Sequence, residues 1–127
     1  MLLRVFLIAL GGAVGTLLRY GTGLMLAGPS QRGGFPWGTI AVNLVGCFAI
    51  GLVYGLFEDR WLVREDVRLA LVVGVLGGFT TFSSFGWETM EMLRQGHMLR
   101  AGANVIVQNV LGVGLVFVGY GLARGST

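Results

Sequence analysis

The stretch GGFTTFSSF, residues 77–85, decides the fold of this chain. It lies near the middle of an apolar segment that runs from Val67 to about Leu93, which is long enough to cross a bilayer. Two adjacent glycines and four side-chain hydroxyls are poor helix formers. At membrane depth, irregular backbone is tolerated only where it is buried in protein or lines a wet cavity. The stretch therefore predicts a membrane helix that is broken near its middle and whose loose backbone serves an ion or a polar substrate.

The composition is that of a small integral membrane protein. Of the 127 residues, 54% are hydrophobic and 12% are charged, whereas a soluble domain carries about 25% charged residues. The apolar residues fall in runs of about 20 rather than in the alternating pattern of barrel strands. We therefore expect one all-α transmembrane domain over residues 1–127, with four membrane-spanning helices at about 2–27, 38–57, 67–93 and 101–122.

The same composition excludes several classes of function. All nine basic residues are arginine and they form no cluster, so nucleic acid is not an expected partner. The absence of lysine removes P-loop and Schiff-base chemistry. A single cysteine, Cys47, and a single histidine, His97, allow neither an internal disulfide nor a His-pair metal site within one chain. Since no base is visible near a hydroxyl, we do not expect an enzyme.

Turn residues and charges predict the connections between the spans. Gly28 to Pro36 is expected to form a loop, and residues 58–66 and 94–100 are expected to lie in water. Within the spans, three G-x-x-x-G pairs permit the close approach of another helix, and they lead us to expect a homo-oligomer. These pairs are Gly11 with Gly15, Gly51 with Gly55, and Gly74 with Gly78.

Polar side chains inside the spans are the candidate lining of a pathway. If the segment after the break is helical, Thr81, Ser84 and Glu88 form a polar track at i, i+3 and i+7. Phe82 and Phe85 lie beside this track. The alternative is a core of aromatic side chains with hydroxyls bonded back to helix carbonyls.

Four further polar side chains lie in the other spans, each with two interpretations. Asn43 either makes an interhelical hydrogen bond or lines a hydrophilic path. Arg19 either reaches the membrane interface or places a positive charge at a pore mouth. Asn104 and Gln108 share a helix face, and Asn109 points elsewhere; pore lining is the alternative to helix–helix hydrogen bonding.

The chemistry of the broken helix favours an ion pathway that prefers anions. A half-helix N-terminus offers free N–H donors and a partial positive charge. The edge of an aromatic ring is also positive, so Phe82 and Phe85 could surround a small anion edge-on. The other end of the break offers unpaired carbonyls, which suit a cation such as sodium.

The distribution of arginine gives only a weak signal for orientation. The side that holds both termini carries five, Arg4, Arg60, Arg64, Arg68 and Arg124. The opposite side carries three or four, Arg32, Arg94, Arg100 and the nearby Arg19. Since an arginine excess marks the cytoplasmic side, a difference this small predicts insertion in both orientations and antiparallel pairing of two copies.

Three motifs resemble those of the Fluc, or CrcB, fluoride channels, and the resemblance extends over essentially the whole chain. The motifs are GGAVG at 11–15 followed by Arg19-Tyr20, GTIAVNLVG at 38–46, and GGFTTFSSF at 77–85. Ser84 stands where the family often has threonine, and the hydroxyl is retained. The resemblance implies an antiparallel, dual-topology homodimer in the bacterial inner membrane, with two pores that each pass fluoride passively out of the cytoplasm.

The resemblance also implies roles for individual residues. Phe82 and Phe85 would line the fluoride path with their ring edges, and Asn43 would donate to the ion. Thr81, Ser84 and Glu88 would lie along the same route, with Arg19 matching the family's arginine. One structural sodium ion on the two-fold axis would be held by backbone carbonyls from both subunits, those of Gly77 and Thr80.

Two other functions remain open at this stage. A small dual-topology multidrug-type exporter would exchange protons for a cationic substrate and would need a membrane-buried carboxylate. Glu88 is the only carboxylate well inside a span. A non-transporting assembly subunit, held in a complex by its glycine faces, is the second alternative.

Overall fold

Four long helices make up the described part of the protein. The computed structural model describes residues 1–58 and 64–125. Its four spans, each long and apolar enough to cross a membrane, are Leu2–Gly33, Trp37–Phe57, Glu65–Arg94 and Met98–Gly125. The predicted all-α fold with four membrane-capable helices is confirmed, and so is the interruption of the third span near its middle.

The third and fourth spans each change helix type along their length. The third is α-helical over Glu65–Leu69, π-helical over Ala70–Leu76, and α-helical over Gly77–Phe79 and Phe82–Arg94. The fourth contains a π-helical segment, Val107–Leu111, between Met98–Ile106 and Gly112–Gly125. Such π segments often occur at functional sites.

The break in the third span consists of two extended residues. Thr80 has φ −86° and ψ 159°, and Thr81 has φ −152° and ψ 114°. Both are β-branched, which favours extended backbone over helix. Thr81 then starts the second part of the span as its N-cap, because its Oγ1 accepts a hydrogen bond from the N–H of Ser84 at 3.2 Å.

The predicted loop from Gly28 to Pro36 is wrong for most of its length. The first helix continues through Pro29 and ends at Gly33. Proline fixes φ near −65°, which a helix accepts at the loss of a backbone hydrogen bond. The turn is made instead by Gly34, whose φ of 61° is left-handed and whose N–H bonds to the carbonyl of Ser30.

Two other connections are also shorter than predicted. The third span already begins at Glu65, where acidic side chains suit the positive end of the helix dipole. The fourth span begins at Met98, so that only residues 95–97 separate it from the third. The remainder of the predicted loop at 58–66, residues 59–63 with Arg60, lies outside the described residues.

Glycine contacts pair the first span with the third and the second with the fourth. A Cβ placed on Gly11 would lie 2.6 Å from the carbonyl oxygen of Ala70, and one on Gly55 would lie 2.8 Å from that of Tyr120. The spans therefore approach backbone to backbone. Because these faces are filled from within the chain, they give no support for a second copy, and the expected homodimer stays a prediction that rests on the family resemblance.

Polar contacts at the end that holds both termini join the same two pairs of spans. Arg4 donates to Asp66 at 2.7 Å and to Glu65 at 3.3 Å, which connects the first span to the third. Glu58 accepts from the Tyr120 hydroxyl and lies 3.8 Å from Arg124, which connects the second span to the fourth. Exposed pairs of this kind contribute little to stability, because water and salt screen their charges.

Candidate ion pathway

Asn43 of the second span holds the broken backbone of the third. Its Oδ1 accepts the N–H of Thr81 at 2.8 Å, and its Nδ2 donates to the carbonyl of the same residue at 3.0 Å. The side-chain amide thus pairs with both backbone groups of Thr81, as a neighbouring strand would. The second Nδ2 hydrogen is donated to Gln108 Oε1 at 2.7 Å, so both donors of Asn43 are engaged.

Two backbone carbonyls lose their helical donors at the break. In a continuous α-helix the N–H of Thr81 would bond to the carbonyl of Gly77, and the N–H of Ser84 to that of Thr80. Instead, Thr81 donates to Asn43, and Ser84 donates to the Thr81 hydroxyl. These are the two carbonyls for which the resemblance implies a sodium ion, and free carbonyl oxygens are suitable ligands for such a cation.

A first groove, of about 350 Å³, opens beside the break between the second, third and fourth spans. The Phe82 and Phe85 rings line it in a tilted pair with centroids 5.4 Å apart, and Phe82 is 81% exposed. Its other lining residues from the predicted site are Asn43, Gly77, Thr80, Thr81, Gln108 and Asn109.

A second groove, of about 430 Å³, lies between the first three spans and is more polar in its lining. It contains Arg19, Ser84 and Glu88 from the predicted site. Thr39 donates to Glu88 Oε1 at 2.6 Å, while the buried Oε2 has no hydrogen-bond partner within residues 1–58 and 64–125. Arg19 lies nearer the middle of its helix than predicted because that helix runs on to Gly33.

Thr81 is the residue that lines both grooves. It is 8% exposed and lies within the break itself. The structure therefore divides the predicted site into a groove with two phenylalanine rings and a groove with the charged side chains, and places the interrupted backbone between them.

The fourth-span amides are bonded within the protein. Asn104, which is 0% exposed, accepts from Gln108 Nε2 at 2.8 Å and donates to Thr89 Oγ1 at 2.9 Å. Asn104 therefore lines neither groove. Asn109 is exposed and donates to the carbonyl of Val105 at 2.8 Å.

Two residues of this region were not among the predicted site residues. Thr39 could have been identified from the sequence, because it lies one helical turn before Asn43 on the same face. Thr89 could not have been identified in this way, because its contact with Asn104 depends on which spans are neighbours in the fold.

The chain is similar to known proteins over nearly its full length. The family described as "CrcB-like protein, Camphor Resistance (CrcB)" matches residues 6–120. The chain is 49% identical over 119 residues to a protein of Thermus thermophilus named fluoride-specific ion channel FluC, covering 94% of each chain. It is 47% identical over 123 residues, 95% of each chain, to the protein of that name from Chloroflexus aurantiacus.

A third relative of the same name, from Agrobacterium fabrum, is 41% identical over 126 residues, which is 97% of this chain and 98% of the relative. These similarities do not favour the multidrug-type exporter. Together with the four membrane-capable helices, they identify a multi-pass membrane protein. The chain therefore belongs to the CrcB-like family.

Proposed function

We propose that this chain is a fluoride-selective channel that lets fluoride leave the cytoplasm passively across the bacterial inner membrane. In this function two copies form an antiparallel, dual-topology homodimer with two pores. The observation that carries the proposal is the opening of a bilayer-length helix at Thr80 and Thr81, next to the rings of Phe82 and Phe85. Support for fluoride as the ion comes from the names of the full-length relatives.

The first groove offers what a strongly hydrated small anion needs. Fluoride gives up its water only where donors and positive partial charges replace it. The edges of the Phe82 and Phe85 rings provide such partial charge. The helix Phe82–Arg94 begins at the break, so its N-terminal N–H groups and dipole add to it. A path that is narrow enough to fit fluoride would exclude larger anions such as chloride.

Asn43 is the amide donor of this path. Its Nδ2 hydrogens are directed to Thr81 and Gln108, and a passing fluoride competes with Gln108 Oε1 for the second hydrogen. The ion replaces only the Gln108 acceptor, so the hydrogen bonds between Asn43 and the Thr81 backbone are kept. Asn109 lines the same groove from the fourth span.

The second groove continues the path beyond Thr81. The Thr81 hydroxyl donates to Ser84 Oγ at 3.1 Å, and the two hydroxyls form the start of the polar track. Glu88 follows one turn later, held by the Thr39 hydroxyl. Arg19 lines this groove and contributes a positive charge that raises the local concentration of anions within it.

The carbonyls of Gly77 and Thr80 fit a sodium ion. Both lack the N–H that a continuous helix would supply, and both residues line the first groove. When bound between two copies, the ion supplies a positive charge that connects the two breaks, and its role is structural. Gly77 and Thr80 of each copy would hold it through their main-chain oxygens.

Liposomes that contain only this purified protein test the proposed function. Potassium fluoride is loaded inside, valinomycin starts the efflux, and a fluoride electrode records it. We expect fluoride efflux well above that of protein-free liposomes, and chloride efflux at the protein-free rate. Equal fluoride efflux with and without protein would refute the channel. Proton-driven uptake of a lipophilic cation would support the exporter instead.

A further inference from the structure

Four hydrogen bonds run in one direction from the second span, through the fourth, to the third. Asn43 Nδ2 donates to Gln108 Oε1 at 2.7 Å, and Gln108 Nε2 donates to Asn104 Oδ1 at 2.8 Å. Asn104 Nδ2 then donates to Thr89 Oγ1 at 2.9 Å, and Thr89 Oγ1 donates to the carbonyl of Phe85 at 2.7 Å. We call these four side chains, Asn43, Gln108, Asn104 and Thr89, the amide relay.

The two ends of the amide relay hold the same turn of the third span. At one end, Asn43 bonds to both backbone groups of Thr81. At the other end, Thr89 bonds to the Phe85 carbonyl. The turn that carries Phe82 and Phe85 is therefore fixed both before and after its rings.

Burial makes the middle of the relay sensitive to the loss of a partner. Asn104 is 0% exposed, so no water can replace the acceptor that Thr89 provides. Hydrogen bonds in such a chain also polarise one another, because each group donates in the same direction. Removal of the Thr89 hydroxyl therefore leaves the buried Asn104 amide without its acceptor, two hydrogen bonds away from Asn43.

We propose that Thr89 and Asn104 are positioning residues of the fluoride pathway. They touch no ion, and through Gln108 they hold the Asn43 amide against the break. Together with Asn43, they set the orientation of the turn with the two phenylalanine rings. Since this role rests on the proposed channel function, its test must separate a failure of the relay from a failure of the channel.

An ordinary helical threonine provides the matched comparison. Thr22 in the first span also donates to the carbonyl four residues earlier, that of Leu18, at 2.9 Å. Thr22 is half-buried, its hydrogen bond is exposed, and no relay partner is among its contacts in the described residues. Thr89→Val and Thr22→Val thus remove the same hydroxyl-to-carbonyl bond, and only the first interrupts the relay.

Fluoride and chloride efflux from liposomes with equal amounts of reconstituted protein test the role. We expect Thr89→Val to lower fluoride efflux about tenfold or more, which corresponds to about 1.4 kcal/mol. Thr89→Ser retains the hydroxyl and should stay within about twofold of the wild type, as should Thr22→Val. Wild-type efflux and selectivity from Thr89→Val would overturn the positioning role and leave the channel intact. The same conclusion would follow if Thr89→Ser lowered fluoride efflux as much as Thr89→Val does.

A double variant covers the case in which Thr89→Val folds poorly. Asn104→Leu combined with Thr89→Val replaces both partners by apolar groups, so the donor that loses its acceptor is no longer the fully buried Asn104 amide but Gln108 Nε2, whose residue lines the first groove. It should fold better than Thr89→Val and still show low fluoride efflux, because the relay remains cut. Recovery of wild-type efflux in this variant would overturn the inference, and absence of efflux from the wild type would overturn the channel with it.

Discussion

Thr81 combines three structural roles in one residue. Its side chain is β-branched, which favours the extended backbone that interrupts the third span. Its hydroxyl caps the helix that follows, and its N–H and carbonyl both bond to Asn43. Because it also lines both grooves, the residue that opens the helix lies between them.

Substitution of one exposed ring separates its chemistry from its contribution to folding. Phe82 is 81% exposed, so Phe82→Ile should change stability little, by about 0.5 kcal/mol or less. The variant loses the positive ring edge, and we expect fluoride efflux to fall about tenfold. Efflux from liposomes is measured at equal reconstituted protein.

Phe117 provides the control for this change. It is 74% exposed on the fourth span and lines neither groove, so Phe117→Ile should retain wild-type efflux. Undiminished efflux from both Phe82→Ile and Phe85→Ile would remove the phenylalanines from the mechanism.

The third span shows which structural features sequence predicts and which it does not. The break was predictable because the glycine pair and the threonine pair disfavour helix at the centre of an apolar run. The π-helical segment Ala70–Leu76 was not, since its apolar sequence, ALVVGVL, carries no signal that separates a π-helix from an α-helix. The extension of the first helix past Pro29 was also missed, because a proline is a signal for a turn that a helix can still accommodate.

The interior of the site was less predictable than its lining. Asn43, Phe82 and Phe85 stand out as polar or aromatic residues around a break, and the structure brings them to one groove. The bond between Gln108 and Asn104 follows from their i, i+4 spacing, but the bond of Asn104 to Thr89 depends on which span packs against the fourth. Helical periodicity within one span gives no information about such contacts.

The glycine contact between the first and third spans gives a prediction at the scale of the helices. A Cβ on Gly11 would lie 2.6 Å from the Ala70 carbonyl oxygen, which is backbone and cannot move aside easily. Gly11→Ala should therefore destabilise the protein by about 1–3 kcal/mol through overpacking. Gly21→Ala in the same helix meets nothing within 4 Å and gains only helix propensity.

Thermal unfolding in detergent compares the two alanine variants. Both variants replace glycine by alanine in the same helix, so the gain in helix propensity is the same for each. The difference between their midpoint temperatures of unfolding therefore reports the packing. We expect a lower midpoint for Gly11→Ala and an unchanged or higher one for Gly21→Ala. Equal midpoints would show that the first and third spans are not in close backbone contact.

At the scale of the whole molecule, two pairs of spans are closed in the same way. Each pair has a glycine contact in its interior and polar contacts at the end that holds the termini. The two pairs meet at the break, where Asn43 of one pair bonds to Thr81 of the other. The two pairs also meet where Thr39 bonds to Glu88 and where Asn104 bonds to Thr89, so contacts between the pairs border both grooves.

The balance of arginines leads to a prediction about the orientation of the whole molecule. Five arginines on the side of the termini face three or four on the other, so a reporter at the C-terminus should appear on both sides of the membrane. Alkaline phosphatase reports the outside and green fluorescent protein the inside. Replacing Arg64 and Arg68 by glutamine leaves three on the side of the termini and should raise the phosphatase signal. If the C-terminus lies on one side only, in the wild type and in the variant with Arg64 and Arg68 replaced, dual topology is contradicted and with it the antiparallel dimer.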